Sequence, residues 1–178
     1  IITEAFPGDA FTKQLGDGAM IVKEIKGDLS EIQLTDILKI ELDKIGCVEK
    51  EFQKLCDNFA GSHGYRTELK LGWGIVRGVV KYLKENNDYI GGNINKSARL
   101  CGVARPFGIV IEGDDFPNLP ENMPYNFSKQ IRKLEGIIDD VNVWVTTEIS
   151  NQLVPREKLR ESPEVHVAGL CIKADGNG

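Results

Sequence analysis

The spacing of apolar residues changes period several times along this chain, and each change predicts an element. Phe11 to Val22 reads as two short strands around a Gly16-Asp17-Gly18 turn, a hairpin signal. From about Leu29 to Phe59 the pattern becomes helical. Ile32, Leu34, Ile37, Leu38, Ile40, Leu42, Ile45, Val48, Phe52 and Leu55 recur at steps of three and four, with Gly46 either dividing two helices or kinking one. Ser62 to Thr67 reads as a loop, Leu69 to Leu83 as strand, and Lys84 to Asp88 as a polar turn. Asn93 to Val103 should be a helix with Ile94, Ala98 and Leu100 or Cys101 facing inward. Phe107 to Ile111 and Asn142 to Thr146 are further strands, separated by a proline-bearing surface loop. The last 30 or so residues are less regular. Helices against a mostly antiparallel sheet, in one α+β domain without repeats, is the architecture these elements predict.

Composition narrows the function classes. A chain of 178 residues buries about two thirds of its surface. No run of 18 apolar residues is present, and the first residues carry no basic segment, so neither a membrane span nor a signal peptide is expected. The net charge of -5 argues against a nucleic-acid scaffold, although a nucleotide needs only a few local cations. Cys47, Cys56, Cys101 and Cys171 form no CxxC pair, which suits reduced thiols in a cytoplasmic protein. His63 and His166, far apart in sequence, read as surface or loop residues, so any metal here is expected to be held by oxygen.

Two stretches carry candidate chemistry. In KQLGDGAM, from Lys13 to Met20, Asp17 is either an ordinary turn residue or a carboxylate lifted clear as a hard ligand for Mg²⁺. In DYIGGNINKSARL, from Asp88 to Leu100, Asn95 and Arg99 lie one helical turn apart on one face. They form either a solvated polar face or an amide that fixes a sugar beside a guanidinium that clamps a phosphate. The glycines of LGWGIVRG sit inside a strand-like run, so they do not form a dinucleotide loop. There they mark a bend or a close backbone approach.

In order and spacing, these stretches resemble the class III nucleotide cyclase homology domain, the adenylate and guanylate cyclase family. KQLGDGAM is similar to the K-x-x-G-D-G-x-M hairpin, GIVRGVV to the G-I-x-x-G-x-V-V strand, and DYIGGNINKSARL to the D-x-x-G-x-x-x-N-x-x-x-R segment; FGIVI follows as the next strand. The resemblance covers about residues 11–145 of a single domain, 1–178, with 146–178 as a C-terminal extension. It implies a ferredoxin-like or palm-type antiparallel sheet with helices, whose first strand and helices precede Ile1 in the natural protein.

The resemblance also implies a reaction. The ribose 3′-oxygen of a nucleoside triphosphate attacks the α-phosphorus, pyrophosphate leaves, and two Mg²⁺ or Mn²⁺ ions assist. Asp17 becomes a metal ligand, Asn95 orients the ribose, and Arg99 stabilises charge on the transferring group. Lys13 and Asp88 fall at the positions that read adenine in adenylate cyclases. The family is a homodimer, with Asp17 of one protomer facing Asn95 and Arg99 of the other.

Three departures qualify the match. The family's second metal aspartate belongs to an F-x-D-I-x-G-F-T segment well before the hairpin, whereas this sequence starts 16 residues before Asp17. Glu135, in RKLEGI, replaces a phosphate-binding lysine. The helical region and the tail are both longer than usual. These traits resemble Pycsar-type pyrimidine cyclases, bacterial anti-phage enzymes that make cyclic UMP or cyclic CMP for an effector they do not contact directly. An adenylate cyclase and a catalytically degenerate nucleotide-binding or dimerisation module are the alternatives.

Overall fold

The computed structural model describes residues 1–8, 10–16, 18–62, 69–105 and 107–147, together with the backbone of 63 and 167–174. In chain order the elements are α1 (Ile2–Ala5), β1 (Ala10–Leu15), β2 (Gly18–Ile25), α2 (Glu31–His63), β3 (Gly72–Gly78), β4 (Lys81–Leu83), β5 (Asp88–Ile90), α3 (Gly92–Val103), β6 (Gly108–Glu112), β7 (Phe127–Lys133), β8 (Asp140–Thr146) and β9 (Val167–Ala174). The fold is α+β. One sheet has the order β1-β2-β9-β3-β6-β8-β7, and β4 and β5 form a separate ribbon.

The large sheet is mixed where the sequence suggests a mostly antiparallel one. β1 pairs antiparallel with β2, and β8 pairs antiparallel with both β6 and β7. The four strands between these edges, β2, β9, β3 and β6, run parallel. The reason is connectivity: α2 links β2 to β3, the β4–β5 ribbon and α3 link β3 to β6, and such crossovers return the chain in its original direction. β9 lies in the stretch read as irregular, yet it bridges β2 and β3 and makes the ladder continuous.

One helix spans the whole region where two were possible. Ser30 caps it reciprocally with Gln33: the Gln33 N–H donates to Ser30 Oγ at 3.3 Å, and the Ser30 N–H donates to Gln33 Oε1 at 2.9 Å. Gly46 stays helical, and Ser62 and His63 belong to the last turn rather than to a loop. Leu38, Leu42, Ile45 and Val48 pack against Ile21, Trp73, Ile75, Ile109 and Ile111 on one face of the sheet. Each fully buried aliphatic side chain there contributes about 1.5–3 kcal/mol. The same helix buries Glu41 completely, and its Oε1 takes Lys23 at 2.7 Å and Lys44 at 3.2 Å.

α3 covers the opposite face, where Leu100 and Ala104 join Val76, Val110, Val143 and Val145. Its inward side differs from the expectation: Ser97, Leu100 and Cys101 are buried, while Ala98 is exposed. A serine can go inside because its hydroxyl donates to the Gly74 carbonyl at 3.0 Å. The glycines of β3 make the close approach possible. A Cβ on Gly74 would lie 2.3 Å from the Ser97 carbonyl oxygen and 2.5 Å from the Cys101 nitrogen. No helix among the described residues is long and apolar enough to cross a membrane.

Candidate functional site

β1 alternates its side chains, so Phe11 and Lys13 share a face. That face meets the β4–β5 ribbon. The Phe11 ring stands edge-on to Tyr89 with centroids 5.1 Å apart, and Lys13 Nζ donates to Asp88 Oδ2 at 2.5 Å. The other carboxylate oxygen, Oδ1, accepts the Tyr89 N–H at 2.9 Å, and the Tyr89 hydroxyl donates to Glu24 Oε1 at 2.8 Å. The hydrogen bond from Lys13 is the main reason Asp88 is held below the usual carboxylate range. Two residues far apart in sequence, each proposed from its motif, are therefore direct partners.

Beneath the pair lies a small apolar cluster of Met20, Val22, Val80 and Tyr89, with Phe11 and Ile94 packed against it. Ile94 belongs to the first turn of α3, so the cluster ties the base of that helix to the Lys13–Asp88 pair. Asn95 follows Ile94, and both Asn95 and Arg99 are exposed on the outer side of α3. The buried side is fixed to β3: besides Ser97, the Cys101 thiol approaches the Gly72 carbonyl at 3.7 Å, and burial raises its pKa to about 12.

Arg99 Nη1 lies 3.7 Å from Glu135 Oε2, with both side chains more than half exposed. Glu135 follows the buried Leu134 and precedes Gly136, which turns at φ 77. The carboxylate of Glu135 thus sits beside the candidate arginine. Arg132 and Lys133 alternate along β7, and Arg132 turns toward Gln130 on its own strand.

Asp17, the candidate metal ligand, lies outside the described residues, as does His166. Among the described residues no group of three or more His, Cys, Asp and Glu side chains comes together. Asp88 is already engaged by Lys13 and its own turn.

A cavity of about 380 Å³ opens on the other face, between α2 and the starts of β3 and β6. Glu49, Phe52, Lys70, Phe107, Tyr125 and Thr146 line it, and none of the candidate residues does. Sequence reasoning passed over one polar group close to α3. Lys96 Nζ meets Glu112 Oε1 at 2.5 Å, with Glu112 3 % exposed at the end of β6. A charge that closes an apolar run such as GIVIE normally reads as a solvated strand end, so the pattern gave no cue. No protein-family model, curated protein or solved structure matches this chain.

Proposed function

We propose that the chain is the catalytic domain of a class III-type nucleotide cyclase, converting a nucleoside triphosphate to a 3′,5′-cyclic nucleotide and pyrophosphate. The observation that carries this reading is the Lys13–Asp88 contact, joined through the Phe11, Tyr89 and Ile94 cluster to a helix presenting Asn95 and Arg99. A donor and an acceptor side by side suit the edge of a base, an amide suits a ribose, and an exposed guanidinium suits a phosphoryl group. The palm-type arrangement of the family belongs to the same proposal.

On this reading Lys13 and Asp88 bind the base and Asn95 orients the ribose so that its 3′-oxygen lies in line with the α-phosphorus. Arg99 stabilises the negative charge that develops as the P–O bond to pyrophosphate breaks. Divalent ions, held by Asp17 and a second carboxylate, would supply Lewis-acid stabilisation of the reacting oxygens. Adenine and cytosine each present an amino donor beside a ring-nitrogen acceptor, which Asp88 and Lys13 match; uracil presents a carbonyl acceptor to Lys13 and an N–H donor to Asp88, with the two places exchanged. The product proposed is cyclic CMP or cyclic UMP in bacterial anti-phage signalling, with cyclic AMP as the alternative.

The site is proposed to form between two copies of the chain in the cytoplasm. Val79, Tyr82 and Ile90 expose apolar surface beside the ribbon that carries Asp88, consistent with a partner there. The test is incubation of the natural full-length protein with each of the four triphosphates and Mn²⁺ or Mg²⁺, with sedimentation run in parallel. One cyclic product, pyrophosphate and a dimer are expected. Absence of turnover on all four would remove the reaction, and an active strict monomer would remove the shared site. A second reading, a degenerate module that binds without turnover, is favoured by Glu135 beside Arg99.

A further inference from the structure

We infer that Glu112 is a positioning residue: by holding Lys96 it sets the rotation of α3 about its axis, and so the aim of Asn95 and Arg99. This rests on the reading above for what those two side chains do. Lys96 stands between Asn95 and Ser97, and Ser97 is anchored to β3 through the Gly74 carbonyl. The Lys96–Glu112 pair anchors the adjoining side of the helix to β6. Successive residues point about 100° apart around a helix, so anchors on two neighbouring residues and two different strands resist rotation where one alone would permit it.

Stability does not account for the pair. Glu112 is sealed at the end of β6, and among the described residues no N–H or O–H donor reaches its buried Oε2. A buried ion pair with an unfilled oxygen generally gains nothing over a packed apolar pair. Its neighbours also compete for it. Lys96 approaches from α3, favouring the ionised carboxylate, while Asp115 approaches from the loop after β6, favouring the protonated one. No charged group of β3 or β8 shifts it. Burial outweighs Lys96, raising the carboxyl to about 7.

The sign then separates positioning from stability. A carboxyl raised in the folded state contributes stability that is present below its unfolded pKa and lost as pH rises through the folded value near 7. The Lys96 anchor requires the ionised form and so strengthens over that same range. Protonated, Glu112 loses its charge attraction for Lys96 and gains a proton that it can donate to Asp115. A merely structural salt bridge would move both quantities together.

The experiment uses the full chain, with Glu112→Gln and Lys96→Met as separate variants. Protection factors of α3 backbone amides and the melting temperature are measured from pH 5.5 to 8.5, alongside turnover. In the wild type, α3 protection should rise through a midpoint near pH 7 while the melting temperature falls. Both variants should lose the protection step, and kcat should drop by on the order of tenfold to a hundredfold with KM little changed. Protection in either folded variant matching the wild type across the range would overturn the proposal, as would a wild-type profile with no step. If Glu112→Gln does not fold, Lys96→Met and the wild-type profile decide. A protection step without turnover on any triphosphate supports the positioning and removes the reaction; turnover without the step does the reverse.

Discussion

Replacing Arg99 with Ala should lower triphosphate turnover by about 10³–10⁵-fold, the range for arginines that stabilise a transferring phosphoryl group. The melting temperature should move by no more than about 4 °C. The two expectations separate because of where the side chain stands. Arg99 is on the outer side of α3, half exposed, and its contact with Glu135 is a 3.7 Å pair between exposed groups. Such pairs are worth about 0–1 kcal/mol, so little fold stability depends on the guanidinium. Its proposed work occurs when charge builds up on phosphorus, at the proposed interface where a second copy would cover the now exposed guanidinium. Steady-state kinetics and calorimetry on the same preparation make the comparison. Turnover close to wild type would take Arg99 out of the site, and a collapse in melting temperature would make the lost activity a folding defect.

Gly74→Ala should do the opposite, striking the fold first. The added methyl would stand 2.3 Å from the Ser97 oxygen and 2.5 Å from the Cys101 nitrogen, both backbone atoms of α3. Neither can swing aside as a long side chain would, so the helix must lift from β3. That breaks the Ser97 hydrogen bond and loosens Leu100 from its cluster. Overpacking of this kind costs about 1–3 kcal/mol, occasionally more. At 2–4 °C per kcal/mol for a domain of this size, the melting temperature should fall by roughly 2–12 °C. Turnover should fall as well, since α3 carries Asn95 and Arg99. A variant as stable as the wild type would show that α3 does not lie against Gly74.

Local chemistry made the hairpin and the helices legible, because a Gly-Asp-Gly turn and a three-four apolar step act through near neighbours. The glycines in β3 were readable as a close approach without the approaching element being known. What α3 buries was less legible: Ala98 looked more apolar than Ser97, and only the Gly74 carbonyl on another strand makes the serine the inward residue. β7 was hidden by the polar alternation of FSKQIRK, which suits an edge strand with one face in water. β9 gave no cue because its partners, Met20 and Trp73 among the neighbouring strands, lie far back in the chain. Lys13 and Asp88 were found through resemblance alone, since no periodicity links residues so distant. The Lys96–Glu112 pair had neither kind of signal.

Until residues 167–174 leave the ribosome, β2 and β3 face each other across an empty place in the sheet, each with an unpaired backbone edge. The β1–β2 hairpin and the unit from β3 to β8 can assemble beforehand, since their pairings are complete without β9. Closure is the most non-local step the chain takes, and loop closure across that distance must precede any gain from pairing. The core of the sheet is therefore sealed late in folding, and two adhesive edges stay open during synthesis.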